Sequence, residues 1–484
     1  MKLWTNGVIY LPNGTKAHNL MTHDGLITGI DVTITEPIET IDLKGGYLYP
    51  GFTDAHLHLI GYGQYLSRID ISNMTKHEIL QTIENDKRSV ILLDGCTSMH
   101  NITKTDLIGV SGARFVLLRH TDFHSVTVNQ QVLDELNLSS DTGILTENET
   151  QLVIAHFSKV SNEVLAHYLE KAIQMLHQFG ITGGHSDDLF YFNGYQDTLN
   201  VFSDVLERLK FRTHLLVHHN VLDDYIKHGL PTYINPFLEL GSIKVFFDGT
   251  LTSKTALMKN GYKGTDSKGL YVTEDFIEIV KKVRRLGLTL AVHVIGDLGL
   301  EKLLEVLERY PPSENQKDRL IHTPWISEKG MNMLINKPLT IDAQPQFLYN
   351  DLPSAFDILN QKPDYIFPWK TLAKQGIVVS FSSDAPVEIP NPLLGILYAT
   401  NRLGKDHKMY EQSESITRKE AIDHYTIDAI AQNLKKNRGS IKIGNIADFT
   451  VFKHDLETVS DELLKSDLVL MTIIDETIVY ERSA

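Results

Sequence analysis

The strongest constraint on this chain is an alternation repeated through its middle: an amphipathic helix, a glycine stop, then a short strand that is apolar on both faces. Between 272 and 286, Phe276, Ile279, Val280, Val283 and Leu286 fall on one helical stripe, with Thr273 as the expected N-cap and Gly287 as the stop. The run 288–295 that follows is almost wholly apolar, as a strand buried on both faces of a parallel sheet must be. The same unit recurs as helices 162–179, 201–209, 300–309 and 369–374, each leading into an apolar strand. Candidate strands are 52–57, 180–185, 213–218, 242–247, 288–295, 319–322, 339–343 and 377–382. Eight parallel strands alternating with helices is the number that closes a barrel, so the predicted fold is α/β, a (β/α)₈ TIM barrel.

Two regions break the alternation. The ends, with strand-like 2–10, 26–30 and 46–50 at one terminus and 447–452, 469–475 and 477–480 at the other, predict one small β-sandwich-like domain built from 1–50 and 441–484. The barrel then spans 51–440. Within it, 61–161 is too long for a crossover helix and predicts an insertion between strands 1 and 2, with helices at 76–85 and near 129–136 and strands at 90–93 and 114–119.

A chain of 484 residues accommodates one oversized barrel with a companion domain, or two to three ordinary domains. Its formal charge of −15 opposes nucleic-acid binding. There is no signal-like N-terminus and no membrane-length apolar run, and the lone Cys96 supports no disulfide scaffold or thiolate cluster, so the expected place of action is the cytoplasm. The expected partner is a small-molecule substrate; association into a homo-oligomer is left open.

Placement singles out a few of the 21 histidines. His56 and His58 lie two apart at the end of the first candidate strand, so both face one side and can share an ion. His293 and His322 end two further strands. Taken singly, each is as well explained as a hydrogen-bonded core histidine; together at strand ends, where barrel active sites lie, they point to a divalent ion, zinc by preference, with manganese, iron and cobalt retained. Asp384 follows the last strand, either as a helix cap or as a proton acceptor for water at that ion. An inward Lys244 beside cations must be neutral, paired with a carboxylate such as Asp248, or converted by carbon dioxide into a carbamate able to bridge two metals.

These segments, Pro50 through His58, Lys244 through Thr250, His293-Val294-Ile295-Gly296-Asp297, Arg319 through His322, Gln344-Pro345, Ser383 through Val387 and Gly439 through Asp448, resemble in their order the amidohydrolase superfamily. The resemblance is to its amidohydrolase-3 branch, which holds YtcJ-like proteins and N-substituted formamide deformylases. It implies His56, His58, His293 and His322 as metal ligands, Lys244 as a frequently N6-carboxylated ligand, and Asp384 as catalytic acid/base and ligand. One or two divalent ions are implied, and His124, in Thr121-Asp122-Phe123-His124-Ser125, resembles a family segment that reaches the substrate. The insertion departs from the pattern, with Leu92-Leu93-Asp94-Gly95-Cys96 where the family carries a Gly-Trp motif. The implied activity is hydrolysis of an amide, formamide or related C–N bond, Asp384 taking a proton from activated water and returning it to the leaving nitrogen. The rivals are a lactonase or esterase on the same scaffold and a catalytically silent metal- or ligand-binding barrel.

Overall fold

A computed structural model of the chain describes residues 1–33, 38–157, 159–433 and 436–483. Its centre is a run of eight parallel strands, each paired with the next: β1 (Phe52–Leu57), β2 (Ile181–Ser186), β3 (Arg212–His218), β4 (Leu238–Phe246), β5 (Leu290–Val294), β6 (Asp318–His322), β7 (Leu339–Ala343) and β8 (Val378–Phe381). All eight correspond to the strands expected from the sequence. Every residue of β1, β2, β3, β5, β6 and β7 is buried, because helices cover one face and the barrel interior fills the other.

The barrel is nearly closed, and the seam between β8 and β1 is stitched just past the strand ends. Asp384 N–H donates to His56 O at 2.8 Å, and His58 N–H donates to Ala385 O at 2.8 Å. Within the seam the buried Asp54 carboxylate accepts from Ser383 Oγ at 2.6 Å and from Ser383 N–H at 3.1 Å.

The helices follow their stripes. In Phe276–Arg285 the buried residues are Phe276, Val280 and Val283, and Gly287 takes φ +69° at the stop. The start differs from expectation: Asp275, not Thr273, occupies the N-cap position, without a side-chain cap bond. Periodicity locates a helical face well and its first turn poorly.

The terminal segments interleave. A six-stranded sheet combines Val8–Tyr10, Lys16–Ala17 and Tyr47–Pro50 with Phe449–Phe452, Val469–Ile474 and Thr477–Glu481. Lys2–Thr5 belongs to a second, four-stranded sheet, so the stretch 2–10 is two strands in two sheets. The break falls at Asn6, left-handed at φ +55°, and Gly7, where a Cβ would sit 2.7 Å from Gly46 O. Trp4, Leu20, Leu48, Phe449 and Ile473 pack in a core shared by the two sheets.

An inter-element ion network ties these sheets to the barrel. Buried Arg212 on β3 grips Asp448 through Nε at 2.6 Å and Nη2 at 3.0 Å, and Arg438 Nε adds a third bond at 3.1 Å. Burial alone would raise the Asp448 pKa, but the two guanidiniums outweigh it and hold it below the usual carboxylate value. Arg212→Met is expected to destabilise the fold by roughly 3 kcal/mol, since it removes two of the three guanidinium bonds from a buried carboxylate, and denaturant titration checks this. Because the folded pKa is depressed, the Asp448 contribution is complete above the unfolded value of about 4 and fades as pH falls below it. Wild-type stability should therefore drop more steeply than that of the variant on acidification; parallel pH profiles would refute the assignment.

Candidate metal centre

Strand alternation and barrel closure together build the site. His56 is fully buried at the end of β1, and His58 follows it on the same side, with ring centroids 5.4 Å apart. Asp384 adopts φ +58°, a left-handed conformation uncommon for a residue with a side chain and concentrated at functional sites. Its Oδ1 lies 3.4 Å from His56 Nε2 and 3.6 Å from His58 Nε2. The ligand atoms of His56, His58 and Asp384 all lie within 4.8 Å of one another, forming a metal-binding cluster.

The other expected residues adjoin it. The His322 ring, at φ +78° on the end of β6, is 5.9 Å from that of His56 and 4.6 Å from that of His293. Lys244 Nζ, fully inside the barrel, sits 3.2 Å from His56 Nε2. His124 arrives from the 61–161 segment with its ring 5.0 Å from that of His293 and lines the same cleft.

Hydrogen bonds on the far side of the rings suit them to ligate. His58 Nδ1 lies 2.7 Å from Asp187 O, and His322 Nδ1 lies 2.8 Å from Gln344 Oε1. A carbonyl acceptor places the proton on Nδ1 and leaves Nε2 as the ligand atom. Gln344 is itself oriented by Nε2 donation to Ser382 Oγ at 2.8 Å.

Desolvation sets the protonation states. Burial, with Lys244 adding, holds His56 well below its ordinary pKa; burial and then His322 do the same for His293. His322 is brought down to about 4 by burial that Asp384 only partly opposes. Burial also disfavours charge on His58 and on Asp384, but their mutual hydrogen bond outweighs it, raising the imidazole and lowering the carboxyl. The neutral imidazoles of His56, His293 and His322 and the ionised Asp384 carboxylate are the donor chemistry of a divalent cation site, and an ion there would displace the proton that Asp384 favours on His58, so these residues fit such an ion.

Lys244 has a partner that the sequence did not reveal. Its carboxylate neighbour is Asp187 Oδ2 at 3.6 Å, not Asp248. Asp248 instead accepts from Leu257, Ile295 and Gly296 N–H at 2.8–2.9 Å, fixing the loops around β4 and β5. Burial lowers the Lys244 pKa against the pull of Asp187 and Asp384. Asp187 and Asp188, immediately after β2, are the acidic counterpart of Asp384 after β8, and that strand-end position was the signal available for them.

His124 is braced by Glu147, whose Oε2 is 2.8 Å from His124 Nδ1 and whose Oε1 accepts from Thr255 Oγ1 at 2.5 Å. Burial works against protonation of His124, but the Glu147 charge and hydrogen bond prevail and raise its pKa. Nothing in the spacing marks Glu147, which pairs with His124 only because the insertion folds back on itself.

A barrel of parallel strands whose joined ends hold two imidazoles and a carboxylate in ligand range defines a metal-dependent hydrolase. Residues 39–480 match the profile described as Amidohydrolase family. The chain is 32% identical to the putative amidohydrolase YtcJ of Bacillus subtilis (strain 168), over 99% of both chains. It is 23% identical to the N-substituted formamide deformylase of Arthrobacter pascens, covering 92% of this chain and 90% of that one. A crystal structure of an uncharacterized metal-dependent hydrolase from Pyrococcus horikoshii superposes with a TM-score of 0.79 at 25% identity, covering 95% and 99% of the two chains. The protein belongs to the amidohydrolase family, in the amidohydrolase-3 branch.

His56→Ala and His58→Ala are each expected to lower bound divalent metal, measured by elemental analysis of purified protein. Each should also lower the Tm, because an ion that binds only the folded state stabilises it. Full occupancy in both variants would remove these side chains from the ligand set.

Proposed function

We propose that this protein hydrolyses a C–N bond of a small molecule, an amide, formamide or related group, with Asp384 as general acid and base. The observation that carries the reading is the ionised Asp384 carboxylate within 3.6 Å of both His56 Nε2 and His58 Nε2, at the base of a cleft beneath the insertion. The name of the formamide deformylase relative supports the bond type.

His56, His58 and Asp384 would hold the ion, with His293 and His322 completing the donor set and Lys244 joining as a carbamate where a second ion is held. A nitrogen-rich set of this kind favours zinc. When bound, the ion supplies Lewis acidity, lowering the pKa of water and polarising a carbonyl oxygen.

The chain's own groups do the rest. Asp384 takes the proton of the attacking water and returns it to the leaving nitrogen as the tetrahedral carbon collapses. His124, held through Nδ1 by the Glu147 carboxylate that favours its protonated form, presents its other ring N–H to the cleft as a donor to the substrate carbonyl. The segment 61–161 acts as an insertion over the barrel mouth, Phe123 and Ile154 limiting the access of bulk water.

Asp384→Asn is expected to cut turnover per bound metal by about 10² to 10⁴ on an amide panel. Undiminished turnover per metal across neutral pH would remove the proton-transfer role. Lys244→Ala should lower the metal-to-protein ratio, with partial recovery on adding a short carboxylic acid such as propionate; an unchanged ratio would refute a bridging carbamate.

A further inference from the structure

The loop that leaves β4, Gly249-Thr250-Leu251-Thr252-Ser253-Lys254-Thr255, lies off the cleft lining and supplies no group to the mechanism above. Its hydroxyl side chains form a connected set. Thr250 N–H donates to Thr255 Oγ1 at 3.0 Å, and Thr250 Oγ1 lies 2.7 Å from Ser253 Oγ. From this set three hydroxyls reach across to two carboxylates of the insertion. Thr255 Oγ1 donates to Glu147 Oε1 at 2.5 Å, while Ser253 Oγ at 3.0 Å and Thr252 Oγ1 at 3.2 Å donate to Asp122 Oδ2.

Those two carboxylates frame His124. Asp122 Oδ1 accepts from His124 N–H at 3.0 Å and from Ser125 N–H at 3.1 Å, shaping the turn that presents the ring. Glu147 Oε2 lies 2.8 Å from His124 Nδ1, and Glu147 N–H donates to His124 O at 2.9 Å. Glu147 is held at φ +48°, a conformation that persists only where the surroundings enforce it. Gly249 marks the closest approach, since a Cβ there would collide with Thr255 Oγ1 and Glu147 Oε1. Its carbonyl oxygen accepts from His293 Nε2 at 3.2 Å, so one short loop touches both a strand-end histidine and the supports of His124. Among the described residues, the apolar clusters of the insertion sheet are separate from the barrel core. With no shared apolar core to fix the sheet, directional hydrogen bonds at this loop set where His124 stands.

We infer that the loop 249–255 is a clamp that aims His124, with Thr255 acting through Glu147, and Thr252 and Ser253 acting through Asp122, as positioning residues. The clamp itself is independent of the hydrolytic reading; its effect on turnover rests on the role given there to His124.

The test uses the zinc-loaded protein as wild type, Thr255→Val, Thr255→Ser and the pair Thr252→Ala with Ser253→Ala, followed by amide hydrogen exchange and by cleavage of 4-nitroformanilide. Thr255→Val and the Ala pair are expected to exchange about tenfold faster at the His124, Ser125 and Glu147 amides, the worth of a lost hydrogen bond, with zinc content and the barrel-strand amides unchanged. Thr255→Ser keeps the hydroxyl and should exchange as the wild type does. On 4-nitroformanilide, Thr255→Val should lower kcat about tenfold with KM little changed, and should have no further effect in a His124→Ala background. Wild-type exchange in both Thr255→Val and the Ala pair, or an equal loss of kcat with and without His124, would overturn the proposal. Faster exchange in the variants of a protein that leaves 4-nitroformanilide uncleaved would uphold the clamp while counting against the hydrolytic reading.

Discussion

Two backbone hydrogen bonds across the last seam of the barrel, Asp384 N–H to His56 O and His58 N–H to Ala385 O, are the contacts on which the site depends. They bring the end of the eighth strand against the end of the first. Without them the carboxylate of Asp384 would have no fixed relation to either imidazole. The Asp54 carboxylate reinforces the seam by accepting from Ser383, which holds the residue before Asp384 in place. The left-handed backbone at Asp384 is then a consequence of turning the chain from a strand into a loop while keeping the side chain directed at the histidines.

Dryness is the second theme, and it acts on several groups at once. The fully buried Arg319 sits within the barrel, its Nη2 2.7 Å from Asp342 Oδ2 and from Ala55 O and 3.0 Å from His185 Nδ1, linking β6 to β7, β1 and β2. A positive charge held there adds to desolvation in keeping His56 and His185 neutral. The same burial that keeps those imidazoles neutral also works against the charged form of the Lys244 amine. One physical cause, exclusion of water from the strand ends, thus acts on side chains of different chemical kinds.

The insertion has a different logic from the barrel. Its sheet, Val90–Cys96, Phe115–His120, Ser125–Val128 and Ile144–Thr146, has apolar clusters of its own, so it is a scaffold in its own right and not a loop draped over the mouth. From it come His124 and Glu147, which share the cleft with the strand-end histidines.

The amino-acid sequence by itself determined the eight strands, because apolar runs between helical stripes are a local pattern, and the strand-end positions of His56, His58, His293, His322, Lys244 and Asp384 followed from them. It also showed that both ends of the chain are strand-rich. Its errors were local as well: the N-cap of Phe276–Arg285 and the run 2–10, where a single left-handed Asn6 sends two strands to two sheets. Only the tertiary structure decided that Lys244 faces Asp187 and not Asp248, that Gln344 orients His322, and that Glu147 braces His124. Those pairings join residues 20 or more positions apart in the chain, and for these side chains no periodicity in the sequence encodes which will meet. That is settled by how the sheet curves shut and by how the insertion folds back across its mouth.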